Sequence, residues 1–157
     1  MKNALAIIAI LALVLTPSPL LARDSSIAVV VNPRNTTKSI SLAELRNIFL
    51  GTQQFWKDGT QIVPIVRAPS ARERDVLLRR VVHMSETQFQ DYWRKKRHAR
   101  APIAVVSNGM QVETVSKEAG GIALVAPSDV RSGVIVLRVD GHLPGSAAYP
   151  LKTSVAR

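Results

Sequence analysis

The residues in this sequence that are best suited to chemistry form a short stretch in which arginines surround a predicted helix start. Arg67 ends an apolar run, Ser70 follows three residues later, and Arg72 and Arg74 come just inside the helix. The first amide groups of a helix have no partners within it, and together with the helix dipole they attract anions. A guanidinium group can donate two parallel hydrogen bonds to phosphate or sulfate. The residues alone allow two interpretations: the stretch binds an oxyanion, or Ser70 caps the helix and the arginines are solvated.

Side chains that could catalyse a reaction or hold a metal ion are scattered. The chain has no cysteine, which excludes disulfides, thiol nucleophiles and cysteine-ligated metal centres. His83, His98 and His142 are widely spaced and show no metal-ligand pattern. Neither a phosphate-binding P-loop nor a dinucleotide-binding glycine fingerprint is present. We therefore predict a chain that is not an enzyme and that carries no cofactor or metal.

Length, composition and charge describe a single basic globular domain. The 157 residues are 46% hydrophobic and 20% charged, values typical of one folded domain with one core. Lys and Arg outnumber Asp and Glu by 21 to 11, and the formal net charge of +10 favours anionic partners. The basic run at residues 94–100 is expected to be a solvated face, with nucleic acid or anionic lipid as alternative partners.

The N-terminal segment has the pattern of a secretory signal peptide. Lys2 is followed by an apolar stretch at residues 4–15, then by two prolines, and Ala22 precedes a charged pair. The apolar stretch is shorter than the roughly 20 residues that a membrane-spanning helix needs, although an uncleaved anchor is the alternative. We predict a signal peptide at residues 1–22, cleaved after Ala22, and a periplasmic domain at residues 23–157. A periplasmic location makes nucleic acid an unfavoured partner.

The order of apolar runs and helix signals predicts an α/β fold with a mixed, mostly parallel sheet flanked by helices. Predicted strands occupy residues 27–31, 61–67, 103–106, 122–125 and 134–139. Helix starts are predicted at the capping boxes of Ser41, Ser70 and Ser85 and at the Ser107 cap. Residues 34–40 are expected to be a polar connection. Because proline cannot donate a hydrogen bond within a sheet, Pro64 predicts that its strand lies at an edge or is irregular there.

Several of these segments together resemble one protein family. They follow the order found in PstS-like phosphate-binding proteins: a helix ending in Ile-Phe-x-Gly, a tryptophan turn, a strand with a ligand loop, and later landmarks. The matching segments are residues 42–51, 55–59, 62–67 with Ser70, 90–93, 120–125, 139–141 and 149–151. Separate motifs in the same order are more specific than one short pattern. The resemblance implies a single lobe of a type II periplasmic binding protein, corresponding to the second lobe of two-lobed relatives.

The resemblance also implies a site and a function. Arg67 and Ser70 match the family's ligand loop, whereas Ala71 and Arg72 stand where the family commonly has glycine and threonine. The expected ligand-binding residues are Arg67, Ser70, Ala71, Arg72 and Arg74. The expected function is binding of phosphate or a related inorganic oxyanion in connection with ABC-type import, with a permease, a partner protein or a second copy covering the open site. The alternatives are an accessory interaction module that has lost its ligand, and a basic protein that binds polyanions or lipid.

Overall fold

The computed structural model describes residues 26–153, which form one six-stranded sheet with helices on both faces. The strands are β1 (Ala28–Val31), β2 (Ser39–Ile40), β3 (Val63–Arg67), β4 (Ile103–Val105), β5 (Gly121–Val125) and β6 (Ile135–Val139). The helices are α1 (Leu42–Phe49), α2 (Arg72–Val76), α3 (Glu86–Lys95) and α4 (Asn108–Lys117). A π-helical stretch, Leu77–Val82, continues α2, and a 3-10 turn covers Pro127–Asp129.

The sheet is mixed, and all of its strands except β1 run in the same direction. The strand order is β2-β6-β1-β5-β3-β4, and β1 is antiparallel to both of its neighbours. The pairings of β2 with β6, β3 with β4 and β3 with β5 are parallel. The carboxyl ends of β3, β4 and β5 therefore meet at one edge of the sheet. This architecture confirms the predicted α/β fold with a mixed, mostly parallel sheet.

Two apolar cores hold the sheet between its helices. Val29 and Val31 of β1 face a larger core, which includes the apolar sides of α1, of α2 with its π-helical continuation, and of α3. Ala28 and Val30, at alternate positions of the same strand, face a smaller core beneath α4. Strand β1 is thus buried on both faces, which explains its continuous apolar sequence.

The helix starts at Ser41, Ser85 and Ser107 are confirmed, and the capping box at Ser70 is wrong. Ser41 and Ser85 form reciprocal capping boxes, and the Ser107 hydroxyl accepts a first-turn amide of α4. At α2 the N-cap residue is Ala71, and no side chain caps the helix. Ser70 has a φ of 71°, in the left-handed region, whereas an N-cap residue needs extended backbone. That backbone conformation keeps Ser70 out of the capping position.

Pro64 and a short extra strand differ from the sequence-based expectations. Strand β3 lies inside the sheet, between β5 and β4. Val63 donates its amide to the Gly120 carbonyl, on the β5 side, so the nitrogen of Pro64 faces the other side, where pairing with β4 begins only at Ile65. The missing donor therefore removes no hydrogen bond from the sheet. The connection predicted at residues 34–40 contains β2, whose two residues pair with β6.

The predicted signal peptide, residues 1–22 with its cleavage point after Ala22, lies outside the described residues. Residues 154–157 lie outside them as well. Between residues 26 and 153, no helix has the length and apolar character needed to cross a membrane. The signal peptide and the extent of the domain at residues 23–157 therefore stay predictions.

Candidate functional site

The candidate site lies at the sheet edge where β3, β4 and β5 end. Arg67 is the last residue of β3 and pairs in register with Val105 at the end of β4. The chain then turns: Ala68 donates its amide to the Val105 carbonyl at 2.9 Å, and Ala71 donates to the Ala68 carbonyl at 3.3 Å. This turn brings the start of α2 back over the end of β3, so that the first turn of α2 contacts the Arg67 guanidinium through Glu73.

The Arg67 side chain is largely buried and short of hydrogen-bond partners. Only 15% of it is exposed, and its Nε and Nη1 atoms are buried with no acceptor among the described residues. The Oε2 atom of Glu73 lies 3.8 Å from Nε, which makes an ion pair but is too long for a hydrogen bond. Unpaired buried donors are costly, because they lose water without gaining a partner. An anion with several acceptor oxygens would satisfy these donors once the side chain moved outward, because both nitrogens are buried.

The Glu73 carboxylate gives the site a negative charge of its own. Glu73 lies in the first turn of α2, its side chain is only 6% exposed, and it faces Arg67. It partly neutralises the guanidinium and would repel an incoming anion at short range. Sequence reasoning missed this role, because it assigned Glu73 to a capping box with Ser70, which the structure does not form.

Arg74, which was also predicted to bind the ligand, is engaged elsewhere. Its Nε and Nη2 atoms donate to the two carboxylate oxygens of Glu86 at 3.0 and 2.7 Å. Its Nη1 atom donates to the Arg67 carbonyl at 3.4 Å, and its guanidinium lies 4.8 Å from the centre of the Phe89 ring. The hydrogen bonds from Arg74 hold the pKa of Glu86 below its usual range. Arg74 therefore joins α2 to α3 and supports the end of β3, and its donors are already used.

The start of α2 is open. Ser70 and Arg72 are exposed, and no side chain caps the helix. The amide of Asp75 donates to the Ala71 carbonyl, four residues earlier. The amides of the helical residues before Asp75 therefore have no carbonyl partner within the helix. The structure thus places the Arg67 guanidinium beside Glu73 of this first turn, and it engages the Arg74 guanidinium with Glu86 and the Arg67 carbonyl.

Gln111 is a further polar residue at this site that sequence reasoning missed. It is 1% exposed, it lines the same narrow void beneath α2 as Arg67 and Glu73, and its Oε1 atom has no hydrogen-bond partner among the described residues. A signal for its burial was present, because Gln111 precedes Val115 by four residues and therefore lies on the buried stripe of α4. The side-chain oxygen of Gln111 is therefore one more unpaired polar atom near Arg67.

Two exposed apolar side chains border the same edge of the sheet. Val106, which directly follows β4, is 73% exposed, and Met110, in the first turn of α4, is 46% exposed. Next to Met110, the carbonyl of Gly109 accepts a hydrogen bond from Arg131 at 3.3 Å. The rim of the site therefore combines apolar and cationic groups, a composition suited to contact with another protein surface.

The polar groups at the sheet edge where β3, β4 and β5 end are mainly hydrogen-bond donors rather than metal ligands. Across the part of the chain that the structure describes, no three His, Asp or Glu side chains group closely enough to hold a metal ion. The acidic residues nearest the site, Glu73 and Glu86, form ion pairs with Arg67 and Arg74. Recognition of a ligand here would therefore depend on guanidinium and amide N–H groups.

Comparison with solved structures identifies the fold. An ABC-type phosphate transport receptor from Vibrio cholerae matches with a TM-score of 0.69 and 19% identity, over 82% of this chain and 53% of that chain. PstS from Borrelia burgdorferi matches with a TM-score of 0.65 and 20% identity, over 82% and 54% of the two chains. A substrate-binding protein assigned to a phosphate ABC transporter of Clostridium perfringens, solved with bound phosphate, matches with 0.64 and 19%, over 76% and 46%. The chain has the fold of one type II periplasmic-binding-protein lobe.

The same matches define how far the similarity extends. The chain spans about half the length of these solved structures. No protein-family model matches the sequence, and no curated protein matches it significantly. The resemblance to PstS-like proteins that the motifs indicated is confirmed at the level of the fold. The matched proteins are transport receptors and substrate-binding proteins rather than enzymes, which agrees with the prediction of a non-catalytic chain.

Proposed function

We propose that this chain binds an inorganic oxyanion, phosphate in the first instance, at the end of β3. Arg67 donates from Nε and Nη1, the Arg72 amide donates from the start of α2, and the exposed residue Ser70 lies on the rim. The Ala71 amide, which the sequence predicted as a further donor, already donates to the Ala68 carbonyl. The observation that carries the proposal is the pair of buried Arg67 nitrogens that have no partner among the described residues. A tetrahedral oxyanion has enough oxygens to accept from a guanidinium and from helix amides together.

The charges around the site favour a small anion. Arg67 is offset by Glu73 at 3.8 Å, Arg74 is neutralised by Glu86, and Arg72 adds an exposed positive charge. Because most of the Arg67 side chain is withdrawn from water, its attraction to an anion is screened less than that of a surface arginine. In this proposal Arg74 is a positioning residue, since it supports the Arg67 carbonyl without contacting the ligand.

We also propose that a second protein body covers the bound anion during ABC-type import. The chain spans about half the length of the receptors that it resembles, and Val106 and Met110 expose apolar surface beside the open site. A second copy, a partner protein or a permease would exclude water from the ligand and strengthen its contacts with Arg67. Size measurement with and without phosphate tests the second copy, because a phosphate-dependent dimer is expected if two copies share the ligand.

The proposed place of action is the periplasm, after removal of residues 1–22. This proposal rests on the cationic start, the apolar stretch and Ala22 in the sequence. N-terminal sequencing of the exported protein tests it: Arg23 is expected as the first residue, and a chain that still begins with Met1 would contradict the cleavage.

Substitution of Arg67→Gln tests the phosphate site directly. The variant loses the charge and the fork of donors, so its affinity for phosphate in calorimetric titration is expected to fall at least tenfold. The matched control is Arg79→Gln, which removes the same charge from an exposed arginine that pairs with Asp75 on the same helical segment. The control should bind like the parent chain, and equal phosphate affinity of Arg67→Gln and the parent would overturn the assignment.

The anion preference of the parent chain separates a built site from a general attraction of charge. Phosphate is titrated at low and at moderate salt, with sulfate, arsenate and molybdate as competitors. One saturable site that prefers one oxyanion and persists in salt supports the proposal. Binding that follows charge density and disappears in salt would contradict it and would favour a polyanion or lipid surface instead.

A second candidate function, an interaction module that has lost its ligand, is favoured by the position of Glu73. Its buried carboxylate already faces Arg67 and could stand in for an external anion. Glu73→Gln distinguishes the two functions. A ligand-binding site is expected to gain about tenfold in phosphate affinity, because a repulsive charge is removed. Phosphate binding that exists only in Glu73→Gln would support the interaction module, and no binding in either protein would reject the site.

A further inference from the structure

We propose a second anion-binding site, away from Arg67, that is specific for a small organic acid or phosphate ester. It is a pocket of about 260 Å³ between the connection that follows β1 and the tryptophan turn that precedes β3. Strand β1 ends where its neighbours begin, because it is antiparallel to both. Asn35 follows the end of β1, whereas Ser39 of β2 pairs with Arg138 of β6 and is level with Arg67, four strands away in the sheet. The pocket and the void that Arg67 lines share no residue.

Asn35 is the residue that marks this pocket as more than a surface depression. Asn35 is one of the residues that line the pocket, and it is only 5% exposed. The Oδ1 atom accepts the Thr37 amide at 2.8 Å, which fixes the orientation of the side-chain amide. The Nδ2 atom is buried and has no hydrogen-bond partner among the described residues. A buried amide donor that lacks an acceptor indicates a place for an acceptor group of a ligand.

The rest of the lining is rich in donors and carries net positive charge. Lys38 and Lys57 enter the pocket from its two sides, and neither forms an ion pair with a described residue. Thr36 and Ser39 are exposed hydroxyl residues of the lining. Asp58 is the opposing charge, and its carboxylate accepts the Thr60 amide at 2.8 Å. Lys57 also acts on the Glu44 carboxylate nearby, whereas no described carboxylate forms an ion pair with Lys38, so Lys38 supplies the main attraction for a small anion.

The floor of the pocket is held by Trp56. The residue is 6% exposed, and its Nε1 atom donates to the Gly120 carbonyl at 3.1 Å, just before β5. Because that donor is used, the indole contributes only an apolar wall. A ligand that suits this pocket therefore has an anionic group for Asn35 and the lysines and a short carbon skeleton against the ring.

The volume limits the size of the ligand. A water molecule occupies about 30 Å³ of liquid, so a pocket of about 260 Å³ has room for several times the volume of one water molecule. This size exceeds an inorganic oxyanion and matches a short dicarboxylate or a phosphorylated three-carbon alcohol. We therefore choose succinate, malate and glycerol 3-phosphate as probes, with inorganic phosphate as the comparison.

Nuclear magnetic resonance titration of the purified protein tests the proposal, with the side-chain amide signal of Asn35 as the reporter. At least one of the three organic probes is expected to shift this signal with saturation, and to bind at least tenfold more tightly than inorganic phosphate at this signal. Asn35→Asp keeps the acceptor for the Thr37 amide but replaces the donor with a negative oxygen, so the variant should weaken binding at least tenfold. Amide signals of Lys38 and Lys57 report binding in the variant.

Two controls make the test decisive. Asn47→Asp makes the same chemical change on an exposed residue of α1 that does not line the pocket, and it should bind the probe like the parent chain. Arg67→Gln should also leave this binding unchanged. The proposal is overturned if no organic probe saturates the Asn35 signal, if the two aspartate variants bind alike, or if Arg67→Gln abolishes the effect.

Discussion

At the scale of single residues, Arg67 and Arg74 lie on the same short segment and have different partners. Arg74 donates hydrogen bonds to the Glu86 carboxylate and to the Arg67 carbonyl. Arg67 retains two buried nitrogens with no hydrogen-bond partner among the described residues, although Glu73 lies nearby. Arg74 therefore stabilises the site, and Arg67 keeps two donors for a ligand. The sequence could place both near a helix start, but their carboxylate partners depend on how α2 packs on β3 and α3.

The ion pair between Arg74 and Glu86 is expected to contribute to stability at neutral pH. Glu86→Gln leaves the buried Arg74 charge, whose side chain is 8% exposed, with a neutral partner, and we expect a loss of about 2 kcal/mol in the free energy of unfolding. Urea unfolding measures this loss. Asp75→Asn, which breaks an exposed pair with Arg79, is the control and should cost less than about 0.5 kcal/mol.

The same pair predicts the sign of a pH dependence. Arg74 lowers the pKa of Glu86 in the folded state, so the stabilisation is complete above the ordinary glutamate pKa and is lost as the pH falls through the folded value. The difference in stability between the parent chain and Glu86→Gln should therefore be largest near neutral pH and shrink on acidification. A difference that stayed constant between pH 7 and pH 3 would contradict this account of the pair.

At the scale of elements, α2 differs from α1, α3 and α4 in how it begins. Those three helices begin at a serine whose hydroxyl accepts a first-turn amide, whereas α2 begins at Ala71 with no side-chain cap. An uncapped start normally costs about 1 kcal/mol, but it leaves amides available to a ligand. The proposed binding function and the missing cap are therefore consistent with each other.

The serines provide a matched test of this difference. Ser85→Ala removes a reciprocal capping box and is expected to lower the free energy of unfolding by about 1 kcal/mol. Ser70→Ala should lose less than half as much, because Ser70 caps no helix. Thermal unfolding of the two variants side by side gives the answer. Equal losses would mean that Ser70 caps α2 after all.

Most elements could be predicted from the sequence because their signals are local. The continuous apolar run of β1 and the capping boxes at Ser41 and Ser85 each depend on residues within a few positions of one another. Strand β2 and the interior position of β3 could not be predicted in this way. Both depend on pairing with a strand that is distant in the sequence. Strand β2 exists because β6 pairs with it, and Pro64 is tolerated because the pairing of β3 with β4 begins only at Ile65.

At the scale of the whole molecule, the two proposed sites lie in different parts of one sheet. Arg67 lies where β3 ends, and Asn35 lies beyond the end of β1, which runs in the other direction. The net charge of +10 favours anions in general, but it does not distinguish these two places. In both places the distinguishing feature is a buried donor without a partner among the described residues, a property that only the assembled fold reveals.

The central claim is that Arg67 binds phosphate, and the most direct measurement follows the Nε–H signal of Arg67 by nuclear magnetic resonance during a phosphate titration. We predict that this signal shifts as a hydrogen bond to phosphate forms, and that it saturates with the affinity found by calorimetry. The Nε–H signal of Arg79, an exposed arginine on the same helical segment, should stay in place. An Arg67 signal that does not respond to phosphate while calorimetry reports binding would contradict the account and locate the anion elsewhere.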